Sequence, residues 1–336
     1  MKKSYRVLVL GLLLAGTAIV LAVGASVGDH VCRKTKDGWY FSGGVSHWHV
    51  GATKLFTAHS IPSSLTKKSF YRDSTVVTAF QLLPGKRVYQ TTLMRHGMPV
   101  EVRALYSIQD DLVIYGRYQE KAGITHWKYV VTIVDRSGGL TSQYDLASEL
   151  QPACLSGEEL LCSEVDRTLP PGKYLPETTL RILNVRNGAE IARKTLPPLV
   201  CNMISGKARE IFVLRRSEDW PQFIADRKNK SAGSYVEKYQ MDSWHLMWSR
   251  KVMPNRGVPS RISIYEDLVY LAVQERQPDS AQAAEFWDFA FDCATGDEVT
   301  APRGFDPLLC EVHVGGKTLR VIKKASGMEV REVSIP

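Results

Sequence analysis

The chain has 336 residues, of which 44% are hydrophobic and 23% are charged. This ordinary globular composition excludes disordered, collagen-like and low-complexity chains. The formal net charge is +8, but residues 1–36 hold six Lys or Arg residues and one Asp and so supply five of those charges. Because a nucleic-acid-binding protein concentrates its positive charge on the folded domain, we predict no nucleic-acid partner.

The first predicted element is an uncharged segment from Val7 to Gly28. As a helix it would span roughly 33 Å, enough for a hydrocarbon core of about 30 Å, and no other stretch is long enough. The basic leader before it is expected to stay in the cytoplasm, which places the rest on the extracytoplasmic (periplasmic or extracellular) side. A signal peptide cleaved near residues 22–25 is an open alternative, but the apolar stretch exceeds the roughly 7–15 residues usual there and favours an uncleaved signal anchor. We therefore expect a leader at 1–6, a transmembrane anchor at 7–28, a linker at 29–37 and one domain at 38–336.

A recurring tight hairpin punctuates the remaining chain. Short runs of β-branched and aromatic residues alternate with Gly, Asp, Asn and Pro, and no long stretch has helical periodicity. Glycines that supply the positive φ of hairpin turns stand at Gly85, Gly138, Gly188 and Gly296. Their spacings are 53, 50 and 108 residues, the last being about two periods. The missing turn falls near residue 245, where there is no glycine.

A second hairpin precedes these turns, so each repeat holds four strands, here named a, b, c and d. The repeats run over residues 45–94, 100–146, 150–196, 199–254, 260–303 and 308–335. Repeats of this kind are typical of β-propeller blades, because one such sheet cannot bury its faces alone and a ring of sheets can. The last repeat has room for three strands only, and Trp39 to Ser42 is predicted to supply the fourth. The pattern predicts an all-β protein, a propeller of six four-stranded blades, with five or seven as open alternatives.

The turn between the outer strands, with Thr, Ser or Asn before the glycine, resembles that of quinoprotein-like and WD-repeat-like propellers over residues 38–336. The resemblance concerns the repeat pattern alone. No Gly-His and Trp-Asp blade signature is present, and Trp287-Asp288 falls within a predicted strand c rather than at a blade end. The resemblance therefore implies a fold and no activity.

The predicted connections differ strongly between the two faces of the propeller. The a–b and c–d turns of one face are tight. The b–c loops of the other face are long, at about residues 61–74, 119–126, 166–178, 217–241 and 275–284. Long loops commonly carry binding sites.

The longest loop combines balanced charge with aromatic residues, which suits a protein–protein contact. Its predicted binding residues are Trp220, Phe223, Arg227, Tyr235 and Tyr239. The sequence thus predicts a membrane-anchored module that binds a protein or a cell-envelope component. The alternative is an enzyme, either a quinone-cofactor oxidoreductase or a hydrolase, with its site over the central channel.

His47 and His49 alternate on one predicted strand, as two ligands of a metal ion would. No carboxylate or third His stands at a readable spacing, although His59 is a possible partner, and ordinary strand residues are the favoured interpretation. No catalytic residue, metal or cofactor is predicted.

The cysteines allow two interpretations. Six cysteines in an oxidising compartment permit disulfides, and Cys154 and Cys162 flank one hairpin. Cys154, Cys201 and Cys310 share one position of strand a, which favours small buried thiols instead.

Overall fold

The computed structural model describes residues 32–35, 38–42, 47–61, 74–83, 85–120, 127–147, 150–164, 178–197, 199–217, 233–253, 257–276, 283–300, 309–324 and 327–333. Within these ranges the regular structure consists of 26 β-strands and no helix. None of these residues therefore forms a helix able to cross a membrane, and the predicted anchor at 7–28 lies outside the described ranges.

The strands form six consecutive groups. The chain begins with β1 (Cys32–Thr35) and β2 (Gly38–Ser42). The first sheet contains β3 (His47–Val50), β4 (Lys54–Ile61), β5 (Ser74–Gln81), β6 (Arg87–Arg95) and β7 (Met98–Pro99). The second contains β8 (Glu101–Ile108), β9 (Asp111–Tyr118), β10 (Lys128–Val134) and β11 (Leu140–Leu146). The third contains β12 (Leu150–Ser156), β13 (Glu159–Glu164), β14 (Thr178–Asn184) and β15 (Glu190–Leu196).

The second half of the chain continues the same order. The fourth sheet contains β16 (Val200–Ser205), β17 (Glu210–Arg216), β18 (Ser234–Gln240) and β19 (His245–Val252). The fifth contains β20 (Val258–Tyr265), β21 (Leu268–Arg276), β22 (Ala283–Asp292) and β23 (Glu298–Val299). The last group is β24 (Leu309–Val314), β25 (Lys317–Lys324) and β26 (Gly327–Val333).

In the first five sheets each strand pairs antiparallel with its neighbour in the chain. Strands b and c read as nearly continuous apolar runs, as in β17 and β10, because neighbouring sheets cover both of their faces. Strand d is largely polar and exposed, as in β15, because it lies at the outer edge. The apolar content of a strand thus reflects whether it lies at the centre or at the outer edge of its sheet.

The N-terminal strands complete the sixth sheet, whose order is β1-β2-β26-β25-β24. Trp39 pairs with Val330, and Ser42 pairs with Gly327. The predicted donation of the fourth strand by residues 39–42 is therefore confirmed. The sequence interpretation did not include β1, which adds a fifth strand outside β2.

The first five sheets pack face to face in chain order, and the sixth packs against the first. The first strands of neighbouring sheets contact each other: β3 contacts β8, and β16 contacts β20. Strand a is therefore the innermost strand of these sheets. Buried apolar clusters lie between successive sheets from the first to the fifth. A further cluster joins Leu55 and Phe80 of the first sheet to Val321 and Val330 of the sixth. The fold is a β-propeller.

Three of the turn glycines, Gly138, Gly188 and Gly296, dock on aromatic residues of the preceding sheet. A Cβ atom on Gly188 would lie 2.6 Å from the Tyr144 ring, and one on Gly296 would lie 2.6 Å from the Trp248 ring. The Tyr144 hydroxyl donates a hydrogen bond of 2.8 Å to the carbonyl of Val185 in the same turn. Only glycine combines the positive φ with room for the ring, which explains why the spacing of these glycines reveals the repeat.

The fourth sheet lacks a glycine at this turn, and Trp244 adopts a φ of +54° there instead. Its side chain packs against the buried cluster between the third and fourth sheets. In this sheet a bulky side chain of the turn itself therefore packs against the preceding sheet.

Candidate binding face and channel mouth

The two faces of the propeller differ as the sequence predicts. The a–b and c–d turns form the tight-turn face. The opposite face, here named the long-loop face, carries the b–c connections of the first five sheets, residues 62–73, 119–127, 165–177, 217–233 and 277–282. In the sixth sheet the corresponding connection is residues 325–326.

The longest connection is shorter than predicted, because β18 starts at Ser234 and the loop covers 217–233 rather than 217–241. Trp220, Phe223 and Arg227 lie outside the described residues. Tyr235 stands at the long-loop end of β18 and is partly buried.

Tyr239 lies toward the other end of the same strand and belongs to a buried apolar cluster. It is 6% exposed, and its hydroxyl donates a hydrogen bond of 2.9 Å to Oε2 of Glu237. Burial, followed by the nearby carboxylate of Glu237, raises the pKa of this phenol. The structure thus places Tyr239 in the core and not in the loop.

Three side chains stand side by side at the base of the longest connection. Arg215, Tyr235 and Lys251 are register neighbours on β17, β18 and β19. The guanidinium of Arg215 lies 4.2 Å from the centroid of the Tyr235 ring, and Nζ of Lys251 lies 5.9 Å from it. Stacked in this way, the ring and the two cations form an amphipathic platform.

A buried ion pair holds this platform in place. Oε1 of Glu237 accepts hydrogen bonds from Nη2 of Arg215 at 2.9 Å and from Nε at 3.2 Å. The two side chains are 11% and 3% exposed. Because Tyr239 donates to the second carboxylate oxygen, the carboxylate has partners on both sides and the guanidinium has a fixed orientation.

Related arrangements recur at the long-loop ends of other sheets. In the second sheet, Arg117 donates to both carboxylate oxygens of Glu101, and its guanidinium lies 4.0 Å from the Trp127 ring centroid. In the fifth sheet, Arg261 lies 5.2 Å from the Trp287 ring centroid.

Arg and large aromatic residues are enriched at protein interfaces, often as the residues that dominate affinity. Because Glu101 and Glu237 neutralise two of these guanidinium groups, the arrangement does not form a continuous cationic groove for a phosphate backbone. Such a set of rigid, amphipathic groups suits contacts with another protein.

A separate cavity of about 380 Å³ opens on the tight-turn face and is here named the channel cavity, because the innermost strands line it. Its lining comes from the first strands and a–b turns of the first three sheets and includes His49, Tyr106, Ser107 and Glu158. Nε2 of His49 lies 2.9 Å from the hydroxyl oxygen of Ser107. Burial lowers the pKa of His49 to about 4, so the imidazole is neutral at pH 7.

The structure bears on the predicted metal pair and on the predicted disulfide. Within the described ranges no group of three His, Cys, Asp or Glu side chains is placed to hold a metal ion. Cys154 and Cys162 are buried free thiols, and burial raises the pKa of each to about 12. The structure therefore contradicts a disulfide between these two residues and confirms the buried thiol at Cys154. The same expectation is wrong for Cys201, a free but exposed thiol that lies at the β-bulge of β16.

No protein-family model matches this chain, and no curated protein sequence matches it. An uncharacterized protein from Listeria monocytogenes EGD-e is similar in structure, with 10% identity, a TM-score of 0.49, and coverage of 91% of this chain and 90% of that chain. The β-propeller domain of the Trilobed protease from Pyrococcus furiosus has 10% identity, a TM-score of 0.45, and coverage of 87% and 81%. BamB from Moraxella catarrhalis has 10% identity, a TM-score of 0.36, and coverage of 91% and 83%. These similarities assign the chain neither a family nor an activity, and its place among repeat-type β-propellers rests on its own sheets.

Proposed function

We propose that this chain is a membrane-anchored, six-bladed propeller whose extracytoplasmic long-loop face binds another protein or a component of the cell envelope. The observation that carries the proposal is the one-sided distribution of the connections, together with the Arg–aromatic stacks at the base of the long ones. Long connections on a rigid scaffold are where proteins most often place binding residues.

The proposed blade number follows from the six sheets and from the contact between the sixth and the first. The proposed anchor follows from the 22 uncharged residues at 7–28. Alkaline extraction of membranes and the intact mass of the extracted chain test the anchor. A chain that starts after residue 22 would contradict it.

The binding face is tested by replacing residues 218–232 with a short Gly-Ser linker. The replacement keeps Ser217 and Gly233, which flank the linker. The hydrogen bond of 3.0 Å from the amide of Ser217 to the carbonyl of Gly233 is therefore retained. We expect the full-length variant to fold and to lose its partner in crosslinking and affinity capture from its own membranes.

The matched control changes the opposite face, where Lys207 and Asp267 form an exposed ion pair of 2.8 Å. Replacing both by Ala should leave capture unchanged, because an exposed pair of this kind contributes little to stability. Equal capture by the loop variant and the control would contradict the proposed binding face.

A second candidate function, a hydrolase, is favoured by the contact of His49 with Ser107 beside the channel cavity. A serine nucleophile needs a neighbouring base, and the 2.9 Å distance meets that need. An imidazole with a pKa of about 4 is, however, a weak base at pH 7, which makes this candidate the weaker one.

A fluorophosphonate probe tests the hydrolase. Labelling of the full-length protein that disappears in Ser107→Ala would establish the second candidate. We expect no labelling at Ser107.

A further inference from the structure

The anchor predicted from the sequence and the topology of the sixth sheet together orient the propeller on the membrane. β1 pairs antiparallel with β2, so that Cys32 stands opposite Phe41 and Thr35 opposite Gly38. Phe41 in turn pairs with Met328, one residue from the b–c connection of the sixth sheet. The chain therefore enters the domain at the long-loop end of this sheet, on its outer edge.

The distance from the proposed anchor to this point is short. Only residues 29–31 separate Gly28 from Cys32. Four fully extended steps span at most about 14 Å. The other end of β25, at Lys317, lies about 23 Å from Lys324, seven residues away at about 3.3 Å each. The long-loop end of the sixth sheet is therefore the end that the anchor holds close to the bilayer.

The charges along the sixth sheet favour the same orientation. The two register rows nearest the long-loop end contain Lys323 and Lys324 and no acidic residue. At the tight-turn end, Lys317 is paired with Glu332 at 2.8 Å. Two lysines without an acidic register neighbour thus stand at the end of the sheet that faces the membrane, where anionic headgroups attract basic residues.

We propose that the long-loop end of the sixth sheet rests on an anionic phospholipid surface, so that the long-loop face is the membrane-proximal face. This inference rests on the anchor in the proposed function. It also narrows the partner, because a ligand of the long-loop face then has to lie at the membrane surface.

The test uses the full-length protein in vesicles of phosphatidylcholine with and without phosphatidylglycerol. A photo-crosslinking amino acid replaces either Lys324 or Lys317, which are the two ends of one strand. We expect at least fivefold more lipid adduct from position 324 than from position 317, and a smaller difference without phosphatidylglycerol. Equal yields, or a higher yield at position 317, would overturn the proposal.

A second measurement needs no substitution. Acetylation of lysines in the wild-type protein, read by mass spectrometry, should fall severalfold at Lys323 and Lys324 in phosphatidylglycerol vesicles relative to detergent micelles. Acetylation of Lys317, which is half exposed, should not change. Unchanged acetylation at all three lysines would contradict the proposal.

The proposed binding function and the proposed orientation on the membrane can be refuted independently of each other. Lipid adducts at position 324 without partner capture would support the orientation and contradict the binding function. Partner capture without lipid adducts would support the binding function and contradict the orientation. A mature chain that lacks residues 7–28 would overturn the orientation.

Discussion

Gly188→Ala tests the docking of turn glycines on the preceding sheet. Alanine at a φ of +73° costs about 1–2 kcal/mol in backbone strain. Its Cβ atom would lie 2.6 Å from Cε2 of Tyr144, where carbon atoms prefer about 3.5–4.0 Å. Displacing the ring adds an overpacking cost of about 1–3 kcal/mol and the loss of the Tyr144 hydrogen bond, about 1 kcal/mol. We expect a total loss of about 3–6 kcal/mol in the free energy of unfolding.

The matched control is Gly157→Ala in the same sheet. Gly157 has a φ of +58°, but nothing lies within 4 Å of the position of an added Cβ. This substitution should cost only the backbone strain, about 1–2 kcal/mol.

Equilibrium urea unfolding of the full-length protein in detergent, followed by tryptophan fluorescence, measures both free energies. In a Tyr144→Ala background, Gly188→Ala should cost about as much as the control. Equal costs for the two glycine substitutions in the otherwise unaltered chain would refute the docking argument.

Three further outcomes are expected. Glu237→Ala should lower the free energy of unfolding by about 3–5 kcal/mol, because it removes the carboxylate that neutralises a buried guanidinium, whereas Asp267→Ala in an exposed pair should have no measurable effect. The neutral imidazole of His49, with its pKa lowered to about 4, contributes stability that is complete above pH 6.5 and is lost as the pH falls toward 4. The loss is at most about 3 kcal/mol, and unfolding curves of His49→Gln should lack it. Cys154 and Cys162 should resist iodoacetamide at pH 8 in the native protein and react fully in urea, as intact-mass measurements would reveal, because burial raises the pKa of both thiols to about 12. Rapid native alkylation of either cysteine would contradict its placement.

The repeat is visible in the sequence because the turn glycines serve a purpose that no other residue serves. Gly138, Gly188 and Gly296 adopt positive φ and receive a ring of the preceding sheet. The donated strand at Trp39–Ser42 is predictable for a related reason, since a last repeat with three strands lacks an edge partner. Both features follow from local geometry, which sequence spacing records.

The end of the longest loop was misjudged because β18 carries adjacent charges. Glu237 and Lys238 look like loop residues, yet both are buried. Arg215 neutralises the first, and Glu210, 2.7 Å away, neutralises the second. Ion pairs between strands cannot be recognised from the local sequence pattern. The first part of β18 was therefore predicted to belong to the loop.

The channel cavity was invisible in the sequence for a similar reason. His49 and Ser107 stand 58 residues apart and meet only because strands a of the first two sheets are neighbours. The Arg–aromatic platform also joins residues of three strands. Both sites depend on how the strands lie against each other, which the period of the repeat does not reveal.

Native mass spectrometry of the full-length protein, released gently from its own membranes, tests the binding role most directly. We expect an intact chain that retains residues 1–28 and carries a co-released protein or envelope component. The same component should be missing from the variant with residues 218–232 replaced. A partner retained by that variant would contradict the proposed binding face. A chain that carries a tightly held cofactor of a few hundred daltons and no protein or envelope component would contradict the binding role.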